Sequence, residues 1–175
     1  MKKHNGMKPQ DIAVLLYIAQ YCEGDYRVLD LANALKISQS EISEALNRSR
    51  IAKLLDSDQK IVYRNNLYEF IIYGLKYVFP IEPGTIVRGV ATAHSGPPLD
   101  KLIVSGNEKF VWSYSNGDSQ GISVVPLYKT LPAIAKNHHE FYELLCLVDA
   151  CRIGRAREVN LARKILKERL LENDT

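Results

Sequence analysis

The chain has 175 residues, of which 46% are hydrophobic and 25% charged, and a formal net charge of +3. Those totals fit one ordinary globular domain or two small ones, and they exclude a disordered chain and an extreme polyelectrolyte. So mild a positive charge permits nucleic-acid binding without arguing for it.

Residues 1–6 are basic, but no apolar core follows as a signal peptide needs, and no run approaches the length of a membrane span. Pro9 suits the first turn of a helix. Ile12, Leu15, Leu16, Ala19 and Cys22 then recur at helical spacing, and Gly24 closes the segment. A second helix is expected over 28–35, with Leu31, Ala32 and Leu35 inward. Lys36 follows at a turn that tends toward positive φ, where a lysine costs roughly 1 kcal/mol. Ser38 stands where an N-cap belongs and Glu41 lies three residues on, so the pair reads as a capping box: the hydroxyl accepts from the Glu41 amide while the Glu41 carboxylate reaches back.

From Ser38 to about Lys53 a third helix is predicted, with Ile42, Ala45, Leu46 and Ser49 on its inner face. Gln39, Ser40, Ser43, Glu44, Asn47 and Arg48 fall on the other face. That face is short, polar and rich in bidentate hydrogen-bonders, as a helix lying in a DNA major groove requires. Gln39 suits adenine, Arg48 suits guanine or phosphate, and Asn47 suits either. Ser40 and Ser43 reach backbone oxygens. Glu44 would read a cytosine amino group or orient an arginine, and Arg50 offsets the acidic residues. Asp56 to Gln59 is a turn cluster, and Lys60-Ile-Val-Tyr-Arg64 has strand character, so a brief polar-tipped strand pair is expected. Lys60 and Arg64 are its phosphate contacts.

The run Leu31-Ala-x-x-Leu-x-Ile-Ser-Gln-Ser-x-Ile-Ser-x-Ala-Leu46 resembles the helix-turn-helix of bacterial winged-helix regulators of the MarR and ArsR type. The likeness covers about a third of the chain, roughly from Pro9 to Arg64, and departs from the pattern at Lys36 and in the short strand pair. It implies a cytoplasmic, dimeric protein that binds double-stranded DNA. The second half is similar only to uncharacterised bacterial helix-turn-helix proteins.

A helix is expected next, capped by Asn65 or Asn66 and ended by Phe79-Pro80, with Leu67, Phe70, Ile71, Leu75 and Val78 inward and Tyr68, Tyr73 and Tyr77 thickening the stripe. Beyond Pro80 the chain reads as short strands at 85–90, 101–104, 109–114 and 122–125, with an Asn-Gly turn signal between the last two. Asn137 and Glu140 then open a helix carrying Phe141, Leu144, Leu145, Val148 and Cys151. Gly154 breaks it, and a final helix carries Leu161, Ala162, Ile165, Leu166 and Leu170.

Two clusters in this half suggest binding of an effector, a partner or an anion: Arg88 with His94, and Arg152, Arg155 and Arg157 around the break. The plainer alternatives are a loop histidine bonded to nearby backbone for His94, and helix-terminus pairing with Asp149 and Glu158 for the arginines. Cys22, Cys146 and Cys151 show neither metal nor disulfide spacing and are expected as buried thiols in a reducing cytosol. No phosphate-cradling glycine loop, nucleophile elbow, His-x-x-x-His or Cys-x-x-Cys is present, so no enzyme, cofactor or metal is expected.

The expectation is therefore an α+β protein. Residues 1–79 form a winged helix-turn-helix with its following helix. Residues 80–175 form a small mixed α/β domain for dimerisation, partner or effector binding that ends in two helices. The expected function is transcriptional regulation, as repression by a homodimer; the alternative is an antitoxin-like protein that grips a partner encoded nearby and autoregulates through the same motif.

Overall fold

Pro9 does open the first helix, and it does so in a computed structural model that describes residues 6–22, 24–104, 106 and 108–172; the basic start at residues 1–5 lies outside them. The architecture is mixed α+β and divides into two compact units, Met1–Leu67 and Tyr68–Thr175. The division falls inside a helix rather than at the Phe79-Pro80 break.

The first unit packs α1 (Pro9–Tyr21), α2 (Val28–Leu35) and α3 (Gln39–Ile51) around Ile12, Leu15, Leu16, Leu31, Leu35, Ile42 and Leu46, all buried. Lys36 ends α2 in the left-handed region at φ 55°, as its place in the turn demanded. The Ile37 amide then donates back to the Ala32 carbonyl, which closes the turn. After α3 the chain makes a hairpin with a single antiparallel bridge, Leu55 to Val62. Its tip is organised by Asp56, whose carboxylate accepts from the Lys60 and Ile61 amides at 2.6 and 2.7 Å. Those amides hold the Asp56 carboxyl below its ordinary range.

The helix that follows is interrupted: α4 (Arg64–Glu69), a π-helical turn (Phe70–Gly74) and α5 (Leu75–Val78). The wider turn shifts the helical register. Leu67, Ile71, Ile72 and Leu75 are buried, whereas Tyr73, Tyr77 and Val78 are 65%, 74% and 53% exposed. The expected apolar stripe through Tyr73, Tyr77 and Val78 is thus corrected, because an undistorted 3.6-residue period does not carry through the turn.

In the second unit β1 (Ile86–Thr92), β2 (Phe110–Ser113) and β3 (Ser119–Ser123) close into a three-stranded barrel. The first half of β1 pairs with β3 and the second half with β2, both antiparallel, so β2 and β3 run parallel. The Asn-Gly signal is a turn, closed by the Gly117 amide on the Tyr114 carbonyl, but it does not make an antiparallel hairpin of its flanking strands. Gly89 is the residue on which β1 changes partner, facing Ser113 and Ser119. A Cβ there would run into the Trp112 carbonyl, so closure needs glycine. The strand expected at 101–104 is instead the end of a 3-10 turn, Leu99–Lys101, and the residues after it.

A short α6 (Leu131–Ile134) leads to α7 (His139–Ile153), then α8 (Ala156–Lys167). Phe141, Leu144, Leu145, Val148 and Cys151 are buried as expected, and so are Tyr142, Cys146, Leu147 and Ala150. A helix apolar on every side belongs at the centre of its unit. On α8, Ala162 and Leu166 are buried, and Leu170 just beyond it is too. Among the described residues no helix is long and apolar enough to cross a membrane.

Candidate functional sites

Ser38 caps α3: its hydroxyl accepts from the Glu41 amide at 3.2 Å. Only this half of the capping box forms. The Glu41 carboxylate accepts instead from Lys8 Nζ at 2.9 Å, Gln10 Nε2 at 2.7 Å and Arg48 at 2.7 Å. Lys8 above all, and Arg48 with it, hold its carboxyl below the ordinary range against the opposing effect of burial.

Arg48 is therefore a correction. It does not share the outward face but is 7% exposed, with a two-pronged ion pair to Asp11 at 2.8 and 2.7 Å. Asp11 is fully buried on α1 and also accepts from the Lys8 amide at 2.9 Å. Asp11 raises the Arg48 guanidinium further above its already high range, and Glu41 adds to this. The cluster fastens α3 to α1 and leaves Arg48 no fork for a base edge.

What remains on the outer face of α3 is short and polar. Gln39, Ser40 and Ser43 are exposed, and Glu44, Asn47 and Arg50 are half-buried. The Ser43 hydroxyl donates to the Gln39 carbonyl at 3.0 Å, and Arg50 donates to the Asn47 side chain at 2.9 Å.

The two cations assigned to the hairpin have local duties. Lys60 donates to the Tyr26 carbonyl at 2.8 Å with its ammonium 4.7 Å from the centre of the Tyr26 ring. Arg64 is not on the hairpin; it opens α4 and donates to the Ala19 carbonyl at 2.6 Å, in the last turn of α1. A guanidinium placed there complements the negative end of that helix.

Lowering the pH should expose the cluster's contribution. A carboxyl whose folded value is depressed stabilises the fold above its unfolded value, 4.5 for Glu41, and loses that contribution as pH falls through the folded value. Thermal unfolding followed by circular dichroism should show Glu41→Gln less stable than wild type at neutral pH. The gap should close as the pH is taken below that window; a gap independent of pH would show that ionisation of Glu41 is irrelevant.

The second unit disperses its predicted residues. Arg88 is exposed on β1 opposite Gln120, and Arg157 is exposed on the first turn of α8. Arg152 has a side chain 4% exposed; it donates to Asp149 at 3.0 Å and twice to the Phe79 carbonyl at 2.9 and 2.8 Å. Asp149, on α7, also accepts from Thr92 at 2.8 Å and from the Trp112 indole at 2.7 Å. One buried carboxylate thus ties β1, β2 and α7 together. Burial pushes its carboxyl up, while Arg152, Thr92 and Trp112 pull it the other way. These residues build the unit; they do not form an anion cradle with Arg88.

His94 and Arg155 do come together, around a cavity of about 230 Å³ with Glu108 and Glu158. Glu108 was invisible as a site residue because nothing local marks it. The thiols of Cys146 and Cys151 are buried, and burial pushes the latter up to about 12, which makes both inert. Among the described residues no cluster of three or more potential metal ligands occurs. No protein-family model matches this chain, and no curated protein or solved structure does either.

Proposed function

We propose that the protein is a sequence-specific DNA-binding regulator of transcription in the cytoplasm, a homodimeric repressor whose first unit is a winged helix-turn-helix with α3 as recognition helix. The observation that carries this reading is the division of labour on α3. One side is locked to α1 through Asp11 and Arg48, while Gln39, Ser40 and Ser43 stand exposed beside a capped helix start. Short hydrogen-bonding side chains on a rigid helix suit base edges and phosphates alike. The one-bridge hairpin after α3 fits a stub of a wing. With Arg48 buried against Asp11 and Arg64 turned to the Ala19 carbonyl, little phosphate attraction is left to this unit beyond the exposed Lys60, and two subunits on two half-sites would double whatever each supplies.

Fluorescence anisotropy with a labelled fragment of the gene's own upstream region tests this. Binding should be specific and should weaken steeply as salt rises. Gln39→Ala and Ser43→Ala, both exposed, should each lose about 1–3 kcal/mol of discrimination over unrelated DNA without altering the melting temperature. If both variants discriminate as wild type does, α3 does not read the sequence.

A partner-binding, antitoxin-like reading is favoured by Tyr73 and Tyr77, two large rings lying exposed one helical turn apart. Copurification of a neighbouring gene product that resists high salt and is lost on Tyr73→Ser/Tyr77→Ser would support it.

A further inference from the structure

The cavity at His94 has the opposite sign from the arginine-rich site that its sequence neighbourhood suggests. Its polar lining is Glu108, Glu158, His94 and Arg155, and Ile103, Phe110 and Ile153 give it an apolar wall. Two carboxylates thus face one guanidinium. That guanidinium is peripheral: the Arg155 side chain is 84% exposed and reaches only Glu108, itself 58% exposed, at 3.2 Å. Glu158 lies deeper, 14% exposed. One of its oxygens accepts from the Arg155 amide at 2.8 Å, and it has no second hydrogen bond among the described residues.

His94 supplies the independent sign that a donor is missing. Its side chain is 8% exposed and packs edge-on against Phe110, with ring centres 5.3 Å apart. Nε2 lies 3.0 Å from the Glu108 carbonyl, which is only an acceptor, so Nε2 carries the proton. In the neutral ring Nδ1 then presents a lone pair. It is buried without a hydrogen-bond partner and looks at a Glu158 oxygen 3.7 Å away. Nδ1 and the Glu158 oxygen thus face each other beyond hydrogen-bond distance, where buried polar atoms are ordinarily satisfied. The residue before it, Ala93, holds φ at 52°, a strained backbone for a side chain other than glycine.

We propose that this cavity binds a small primary ammonium compound with a short apolar chain. Glu158 and Glu108 accept from the ammonium. A modest swing of Glu158 toward the ligand brings Nδ1 of His94 in as third acceptor, and the chain lies on Ile103, Phe110 and Ile153. A primary ammonium has three donors and so matches three acceptors, and its charge offsets the excess carboxylate. The site stands independently of the DNA-binding reading and would give the second unit an effector.

The test is titration of the full-length protein with n-butylammonium chloride, with sodium butyrate and n-butanol as the anionic and neutral counterparts at matched ionic strength, read by ¹⁵N NMR of the His94 ring. A saturable shift of Nδ1 with the ammonium alone is expected. Glu158→Gln, whose amide oxygen still accepts from the Arg155 amide, should weaken binding about tenfold or more. Glu108→Gln, at an exposed position, should weaken it less. The proposal is overturned if butyrate or butanol produces the saturable shift instead. It is also overturned if the ammonium leaves Nδ1 unmoved into the high-millimolar range, as would hold if His94 and Glu158 merely share a proton, or if binding survives both variants unchanged.

Discussion

Arg48→Ala should destabilise the first unit by about 3–5 kcal/mol, because it strands a buried carboxylate that no other charge can neutralise in place. Asp11 has no solvent access, and its remaining hydrogen bond comes from one backbone amide. Arg48→Lys should fall between wild type and alanine: the charge is kept, but a single ammonium cannot make both bonds of the fork. The double variant Asp11→Leu/Arg48→Met removes both charges and should recover most of the loss, since paired replacement of a buried ion pair by apolar groups is often close to neutral. If α3 reads DNA through Gln39 and Ser43, the refolded double variant should still discriminate its operator. Recovered stability with lost discrimination would return Arg48 to the interface. Chemical denaturation by far-ultraviolet circular dichroism measures the stability, and a loss under about 1 kcal/mol for Arg48→Ala would make the ion pair dispensable.

Asp149→Ala should have an effect of similar size, about 3–5 kcal/mol, on the second unit. It leaves three buried donors, from Thr92, Trp112 and Arg152, without their common acceptor. Trp112 is the only tryptophan of the chain, so its fluorescence reports this unit directly. The emission of the folded variant should also change, because the indole loses its carboxylate. Asp149→Asn should be milder, as the amide oxygen still accepts from Thr92 and Trp112. The sign of the pH dependence follows from burial. A carboxyl raised in the folded state contributes fully below its unfolded value and loses that contribution as pH rises through the folded value. Wild type should therefore lose stability relative to Asp149→Asn on going from acid toward neutral pH. A fluorescence midpoint that is the same in wild type and Asp149→Ala would remove the carboxylate from its place as the unit's tie.

The helices of the first unit were legible because their rules are local. Pro9 at a first turn, the left-handed Lys36 and the Ser38 cap each depend on a few neighbouring residues. The interior of α7 was legible for the same reason. The candidate interface was legible only in part: Gln39, Ser40 and Ser43 do face outward, but Arg48 does not. A helical wheel places Arg48 near the edge of the polar face, and which way a long side chain turns there depends on what waits across the gap. What waits is Asp11, 37 positions earlier.

By itself, then, the sequence determined the succession of helices in the first unit, its turn and cap, and the burial of the long helix near the C-terminus, all set by backbone propensity and apolar periodicity within a few turns. Tertiary structure alone decided which charges face solvent and which are sealed in pairs. It also decided that β2 and β3 lie parallel around Gly89, and that His94 meets the Glu108 carbonyl and a Glu158 carboxylate oxygen rather than arginines. Each of these is a pairing between residues far apart in the chain. Its energy depends on distance and burial in space, and neither is encoded in the spacing of residues along the sequence.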